Sequence, residues 1–160
     1  MWYYRRLASG LIVTHNRPEH ADQLEALQRT CFPTLADAEI LKAPHFRRHV
    51  ELFSDGQLVV LDGERVVGST STLRLHFDFD HLSHTFAEII QGGWFSSHQP
   101  DGAWLYGADM GVDPAYRGQG LGRALYAAKS GGRGRVVVDE ESGRVASGTD
   151  PASESVPAND

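Results

Sequence analysis

The residues with the plainest chemistry in this chain are Arg117-Gly118-Gln119-Gly120-Leu121-Gly122, a glycine-rich run of the kind that cradles an anion. The first N–H groups of a helix have no intrahelical acceptor and together carry about half a positive charge, while glycines let the main chain approach a phosphate closely. Each charge-assisted hydrogen bond in such a cradle contributes about 1.5–3 kcal/mol. A glycine string alone is weak evidence, so its value depends on the elements on either side.

Those elements stand in the right order. Trp104, Tyr106, Ala108, Met110 and Val112 alternate with Leu105, Gly107, Asp109 and Gly111. This period of two predicts a strand with one strongly apolar face, ended by Asp113-Pro114. Beyond the glycines, Leu121, Ala124, Leu125 and Ala128 recur at helical spacing and leave Arg123 and Lys129 to solvent. A phosphate-bearing cofactor is the leading expectation. The dinucleotide fold would want G-x-G-x-x-G after the first strand of a βαβ unit, with an acidic residue about 20 residues later, whereas these glycines come late and in a different spacing. A third reading has them making only a tight turn.

The fuller run Val112-Asp113-Pro114-Ala115-Tyr116-Arg117-Gly118-Gln119-Gly120-Leu121-Gly122-Arg123-Ala124-Leu125 resembles the GNAT acetyltransferase superfamily. Its pyrophosphate loop reads Q/R-x-x-G-x-G/A between the fourth strand and the third helix, and Arg117, Gly120 and Gly122 fall on that pattern. The resemblance implies an α/β fold with a mixed, mostly antiparallel sheet flanked by helices. It also implies acetyl transfer from acetyl-CoA to a small-molecule or peptide amine. By the same resemblance the N–H groups of the loop through Gly118, Gln119, Gly120, Leu121 and Gly122 would bind pyrophosphate, with the Arg117 and Arg123 side chains as auxiliary charges. Met110 and Val112 match the positions whose backbone pairs with the pantetheine arm. A homodimer is among the assemblies left open.

Composition narrows the classes. At 160 residues the chain suits one domain with a real core. Its formal net charge of -6 argues against nucleic acid as the main partner, which normally calls for a basic excess. One cysteine, Cys31, excludes an intrachain disulfide and a multi-cysteine metal site, and fits a reducing cytoplasm. At the end of an apolar stripe, with nothing nearby to activate it, Cys31 reads as a small core residue rather than a nucleophile. The start of the chain carries no long apolar run, so neither an export signal nor a membrane partner is expected.

Earlier in the chain, Leu11–Thr14 predicts a first strand. Pro18 opens a helix whose buried stripe is Ala21, Leu24, Leu27 and Cys31. Thr34 and Asp37 suggest a capping box for a second helical region, interrupted by Pro44 and resumed toward Phe53. Two apolar runs around Asp62-Gly63 predict a hairpin with a type I′ turn. Before the 104–112 strand comes a long insertion with His76, Asp78, Asp80, His81 and His84, a helix near 85–91, and Gly92-Gly93-Trp94-Phe95. In the family this neighbourhood shapes the acceptor pocket. The imidazoles and carboxylates match no closed zinc spacing, so no metal is expected. Trp94 and Phe95 read as loop anchors packing on the domain, with an aromatic wall for the acceptor as the alternative.

After Lys129 the composition changes. From Ser130 to Asp160 there is no Leu, Ile, Phe, Tyr or Trp. Such a segment buries too little apolar surface to offset its ordering entropy, so residues 1–129 are expected to form the acyl-CoA-binding core and residues 130–160 a disordered low-complexity tail, with a short strand around Val136–Val138 open. A family member would continue with a further strand, a fourth helix and a closing strand pair. The expectation is therefore a sequence truncated or frame-shifted after Lys129, with incomplete C-terminal strands; a naturally shortened member is the alternative.

For the chemistry, a lysine-like amine of pKa about 10.4 needs about 4–5 kcal/mol to lose its proton at pH 7. Asp109 is the best-placed carboxylate to take it, or else a hydrogen-bonded strand residue. Gly111 is read as a bulge that helps the strand splay. The family's usual acid is a tyrosine on a fourth helix, and Tyr106 and Tyr116 do not inherit it by motif. Three functions stay open: an acetyltransferase, an inactive remnant or weak CoA-binding module, and a nucleotide-binding protein.

Overall fold

The computed structural model describes residues 4–77, 80, 85–130, 135–139 and 144–148, with Ser130 and the last two segments given by backbone alone. Chain order is β1 (Tyr4–Arg6), β2 (Ile12–His15), α1 (Ala21–Cys31), α2 (Ala43–Phe53), β3 (Gln57–Asp62) and β4 (Arg65–Leu75). It continues with α3 (Phe86–Ile90), β5 (Trp104–Val112), α4 (Leu121–Ser130), β6 (Arg135–Asp139) and β7 (Arg144–Gly148). The strands form one sheet in the order β1-β2-β3-β4-β5-β7-β6, with every neighbouring pair antiparallel. The fold is thus α/β, an antiparallel sheet flanked by helices.

The run Leu58-Val59-Val60-Leu61 shows why the sheet lies between two layers. Leu58 and Val60 pack with Leu121 and Leu125 of α4, whereas Val59 and Leu61 pack with Leu24 and Leu27 of α1 and Phe46 of α2. A strand covered on both faces reads as a continuous apolar run, and burying each such side chain contributes about 1.5–3 kcal/mol. A third cluster joins Leu73, Leu75, Tyr106 and Ala108 to Ile89 and Phe95 of the insertion.

Several details differ from expectation. Proline is tolerated in a first turn, where its missing N–H costs nothing, and Pro44 accordingly sits at the start of α2 rather than interrupting a helix. The Asp37 region forms only a 3₁₀ turn, Asp37–Glu39. The hairpin closes at Asp62↔Arg65, so Gly63 and Glu64 are central; Gly63 alone has positive φ (59°), the requirement of a type II′ turn instead of I′. Lys129, expected in solvent, is half-buried with its Nζ 5.6 Å from the centre of the Tyr126 ring, and burial pushes its pKa down to about 8. Within the stretch read as a disordered tail, β6 and β7 pair with each other and β7 lies beside β5. Strand β6 contains Val136–Val138, the short strand that the sequence left open, and its three valines are strand formers. The remainder of that stretch lies outside the described residues, as do Asp78, His81 and His84.

Strand β5 carries the largest correction. Its register against β4 jumps from Ser71↔Asp109 to Thr72↔Gly107, making Ala108 the extra residue of a β-bulge. A bulge reverses the alternation beyond it. The single apolar face expected over 104–112 is therefore divided. Tyr106 and Ala108 pack with the insertion, while Met110 and Val112 pack with α4. Gly111 is not the bulge; it pairs in register with Ser69.

Candidate active site

The glycine loop opens α4 in an accessible position. Arg117, Gly118, Gln119 and Gly120 are exposed, and Leu121 anchors the helix start in the core at 1% exposure. Gly118 and Gly120 have φ of 81° and 76°, a region that L side chains rarely adopt, and a Cβ on either would meet nothing within 4 Å. The first helical hydrogen bond runs from Ala124 N–H to the Gly120 carbonyl, 3.0 Å. Among the described residues no acceptor meets the N–H groups of Gly118, Gln119, Gly120, Leu121, Gly122 or Arg123. Open space, positive φ and unmet donors together have the chemistry of an anion cradle.

The loop is held from below by side chains that sequence reading did not connect. The Tyr116 hydroxyl donates to Asp62 Oδ2 at 2.6 Å, and Arg65 reaches Asp113 Oδ2 at 3.1 Å while lying over the Tyr116 ring. Asp62 and Arg65 are the closing pair of the β3–β4 hairpin, so the turn fastens the approach to the loop. The Asp62 carboxylate, which accepts the phenol proton as a hydrogen bond, raises the pKa of Tyr116. Asp113 Oδ1 also accepts from Ala115 N–H at 2.9 Å. Arg117, expected as an auxiliary cation, turns back to donate through Nε to the Val112 carbonyl, 3.0 Å. Arg123 is exposed.

Beneath the helix start, Gly122 lies over Met110: a Cβ there would sit 3.8 Å from the Met110 sulfur. Among the described residues, β7 pairs with β5 over Trp104–Gly107. Met110 and Val112 lie past its end, on a stretch of β5 leading from the bulge to the glycine loop.

On the opposite face of β5, Asp109 and Gly111 meet α1. Gln28 Nε2 donates to Asp109 Oδ2 at 2.7 Å, and the Thr70 hydroxyl donates to the Asp109 main-chain oxygen at 3.0 Å. The Cys31 thiol donates to the Val112 carbonyl at 3.4 Å, and a Cβ on Gly111 would fall 3.1 Å from its sulfur. Burial, the largest influence, pushes the Cys31 pKa up against the opposing pull of Arg117, so Cys31 has the character of a core thiol. Gln28 is the site residue that the sequence analysis missed. Its signal was a polar side chain on an apolar stripe: with Ala21, Leu24 and Leu27 it makes up the buried side of α1.

In the insertion, His76 Nε2 lies 3.4 Å from Asp101 Oδ1, and the His76 main-chain N–H donates to Gln99 Oε1. Among the described residues no three His, Cys, Asp or Glu side chains converge to hold a metal ion, and no helix is long and apolar enough to cross a membrane.

Residues 54–149 match the model of the acetyltransferase (GNAT) domain. The chain is 34% identical over 121 residues to YkwB of Bacillus subtilis (strain 168), an uncharacterized N-acetyltransferase, covering 75% of this chain and 54% of the relative. It is 32% identical over 124 residues to the probable hydrolase YhcX of the same organism, covering 78% of this chain and 24% of the relative. The chain thus spans about a quarter and about half of these curated relatives. Among solved structures, the GphF GNAT-like decarboxylase in complex with isobutyryl-CoA superposes with a TM-score of 0.59 at 27% identity, over 72% of this chain and 57% of that one.

Proposed function

Because the chain belongs to the GNAT acetyltransferase family, we propose that it binds acetyl-CoA at the head of α4 and transfers the acetyl group to an amine. The observation that carries this reading is the set of N–H groups from Gly118 to Arg123 that no acceptor among the described residues meets, opening onto empty space at two positive-φ glycines. A diphosphate is the ligand such a set suits, since each N–H donates to a charged oxygen and the helix dipole adds to the attraction. The GphF relative, solved with an acyl-CoA, supports a coenzyme of this class.

The remaining roles follow from position. The main chain of Met110 and Val112, past the end of β7, orients the pantetheine arm along β5. Acetyl-CoA supplies, when bound, an acyl group activated as a thioester. Asp109, just beyond the bulge, accepts the proton of the incoming ammonium, making the amine nucleophilic at a cost of about 4–5 kcal/mol at neutral pH. The bulge matters because it turns Asp109 toward α1 and Met110 toward α4. The acceptor is a small-molecule or peptide amine.

Calorimetric titration with CoA and a thiol-release assay with acetyl-CoA and a panel of amines test the proposal. Saturable binding of CoA and amine-dependent thiol release are expected. Binding without release from any amine would reduce the function to coenzyme binding, and absence of binding would remove it.

A further inference from the structure

We propose that Gln28 is a positioning residue that fixes the Asp109 carboxylate for proton transfer from the acceptor amine. This rests on the acyl-transfer reading above. The first support is its cost: Gln28 is 4% exposed, on the buried side of α1 with Leu24 and Leu27, where a primary amide is unfavourable unless hydrogen-bonded. An apolar residue would fill that place at no such cost. The amide nevertheless reaches across to β5 and donates to Asp109 Oδ2 at 2.7 Å, joining residues 81 apart in sequence.

The second support is the fit of strand to helix around that bond. Gln28 and Cys31 are one helical turn apart on α1, and Asp109 and Gly111 are two apart on β5, so the four residues meet as two facing pairs. Gly111 permits the approach, since a Cβ there would lie 3.1 Å from the Cys31 sulfur. The Thr70 hydroxyl holds the Asp109 main chain from β4. Asp109 is therefore fixed through its backbone and its carboxylate at the point where the bulge directs it to this face.

The third support is the choice of donor. A carboxylate beside an arginine or lysine is held ionised and is a poor proton acceptor, whereas a neutral amide orients it with a smaller effect on its proton affinity. Glutamine thus supplies direction without adding a positive charge of its own. Loss of its N–H should raise the Asp109 pKa, because a bond to the charged form is removed.

The test uses the full chain with carbon-13-labelled aspartate. The Asp109 carboxyl, assigned by difference against Asp109→Asn, is titrated by NMR in the wild type and in Gln28→Met, beside the pH profile of kcat/KM for thiol release. In Gln28→Met the Asp109 midpoint and the acid limb should both move up by roughly one pH unit, and kcat should fall about tenfold, with CoA affinity within about twofold of wild type. Gln28→Glu, nearly the same shape, keeps the test alive should the methionine variant fail to fold, and should raise the midpoint further by like-charge repulsion. An unmoved midpoint overturns the proposal. So does a moved midpoint with an unmoved acid limb, which would make the bond structural only. A wild type that binds CoA but releases no thiol would sink the acyl-transfer reading and the catalytic part of this proposal together; the titration would still report on the bond, so the two failures are told apart.

Discussion

His49 Nε2 donates to the Gly93 carbonyl oxygen at 2.6 Å from a fully buried position on α2, fastening the insertion to the core. The carbonyl can only accept, so Nε2 carries the hydrogen. The ring stacks on Phe95 with centroids 3.6 Å apart, and Nδ1 has no partner among the described residues. A second proton would create a buried charge with an unmet donor. Burial accordingly pushes the His49 pKa down to about 4, against the opposing effect of the Gly93 bond.

The pH dependence of stability follows. Between the ordinary histidine value of 6.5 and the folded value of about 4, the unfolded chain binds the extra proton and the folded chain does not. Stability therefore falls as pH drops through that window, by about 3 kcal/mol from this residue. Urea denaturation at pH 7.5 and 4.5 should show the loss. His49→Leu should be less stable at pH 7.5 but change less between the two; His15, His20, His45 and His98, also lowered chiefly by burial, leave a residual slope of the same sign.

Gly120→Ala introduces no clash but forces a side chain onto φ of 76°. The strain costs about 1–2 kcal/mol, and relief by rotation of the loop would misdirect the N–H groups. CoA affinity should fall about tenfold by calorimetry, with the melting temperature lowered by a few degrees. Retained affinity would show that the loop amides do not hold the coenzyme.

Gly111→Ala should destabilise by about 1–3 kcal/mol, because its Cβ would press on the Cys31 sulfur at 3.1 Å. Shortening the opposing side chain should relieve this. In a double-mutant cycle with Cys31→Ala, chemical denaturation should recover most of the lost stability; simple addition of the two losses would place the strain elsewhere.

Asp109→Asn keeps the shape of the side chain and removes its capacity to take a proton at neutral pH. Thiol release should drop about 10²–10³-fold while CoA affinity stays near wild type. The comparison of kcat with the calorimetric Kd separates the two. Undiminished turnover would assign proton transfer to another group.

The parts legible in the sequence were those governed by local rules. The Arg117–Gly122 loop announced itself because a strand pattern, a proline stop, positive-φ residues and a helical stripe follow one another between Trp104 and Ala128. The α1 stripe and the β3–β4 hairpin were legible for the same reason. The helix expected near 85–91 was legible too, though its cap, with Thr85 accepting from Glu88 N–H and Glu88 from Thr85 N–H, was not read from the sequence. The bulge at Ala108 was hidden, since alternation looks unbroken in sequence and the extra residue shows only against β4. The buried bonds of Gln57, which donates to the Phe53 and Thr72 carbonyls and accepts from Thr72 N–H, depend on a partner in another element and left no local trace.

What the amino-acid order determined by itself was the family, the strand–loop–helix unit and the glycines that shape the anion cradle, because backbone conformation and periodicity act over a few neighbouring residues. Tertiary structure alone decided which side of β5 each residue faces, that Asp109 meets Gln28 and Gly111 meets Cys31, and that Asp62 and Arg65 brace the loop through Tyr116 and Asp113. Those contacts join residues tens of positions apart, and packing, which selects them, acts on distance in space.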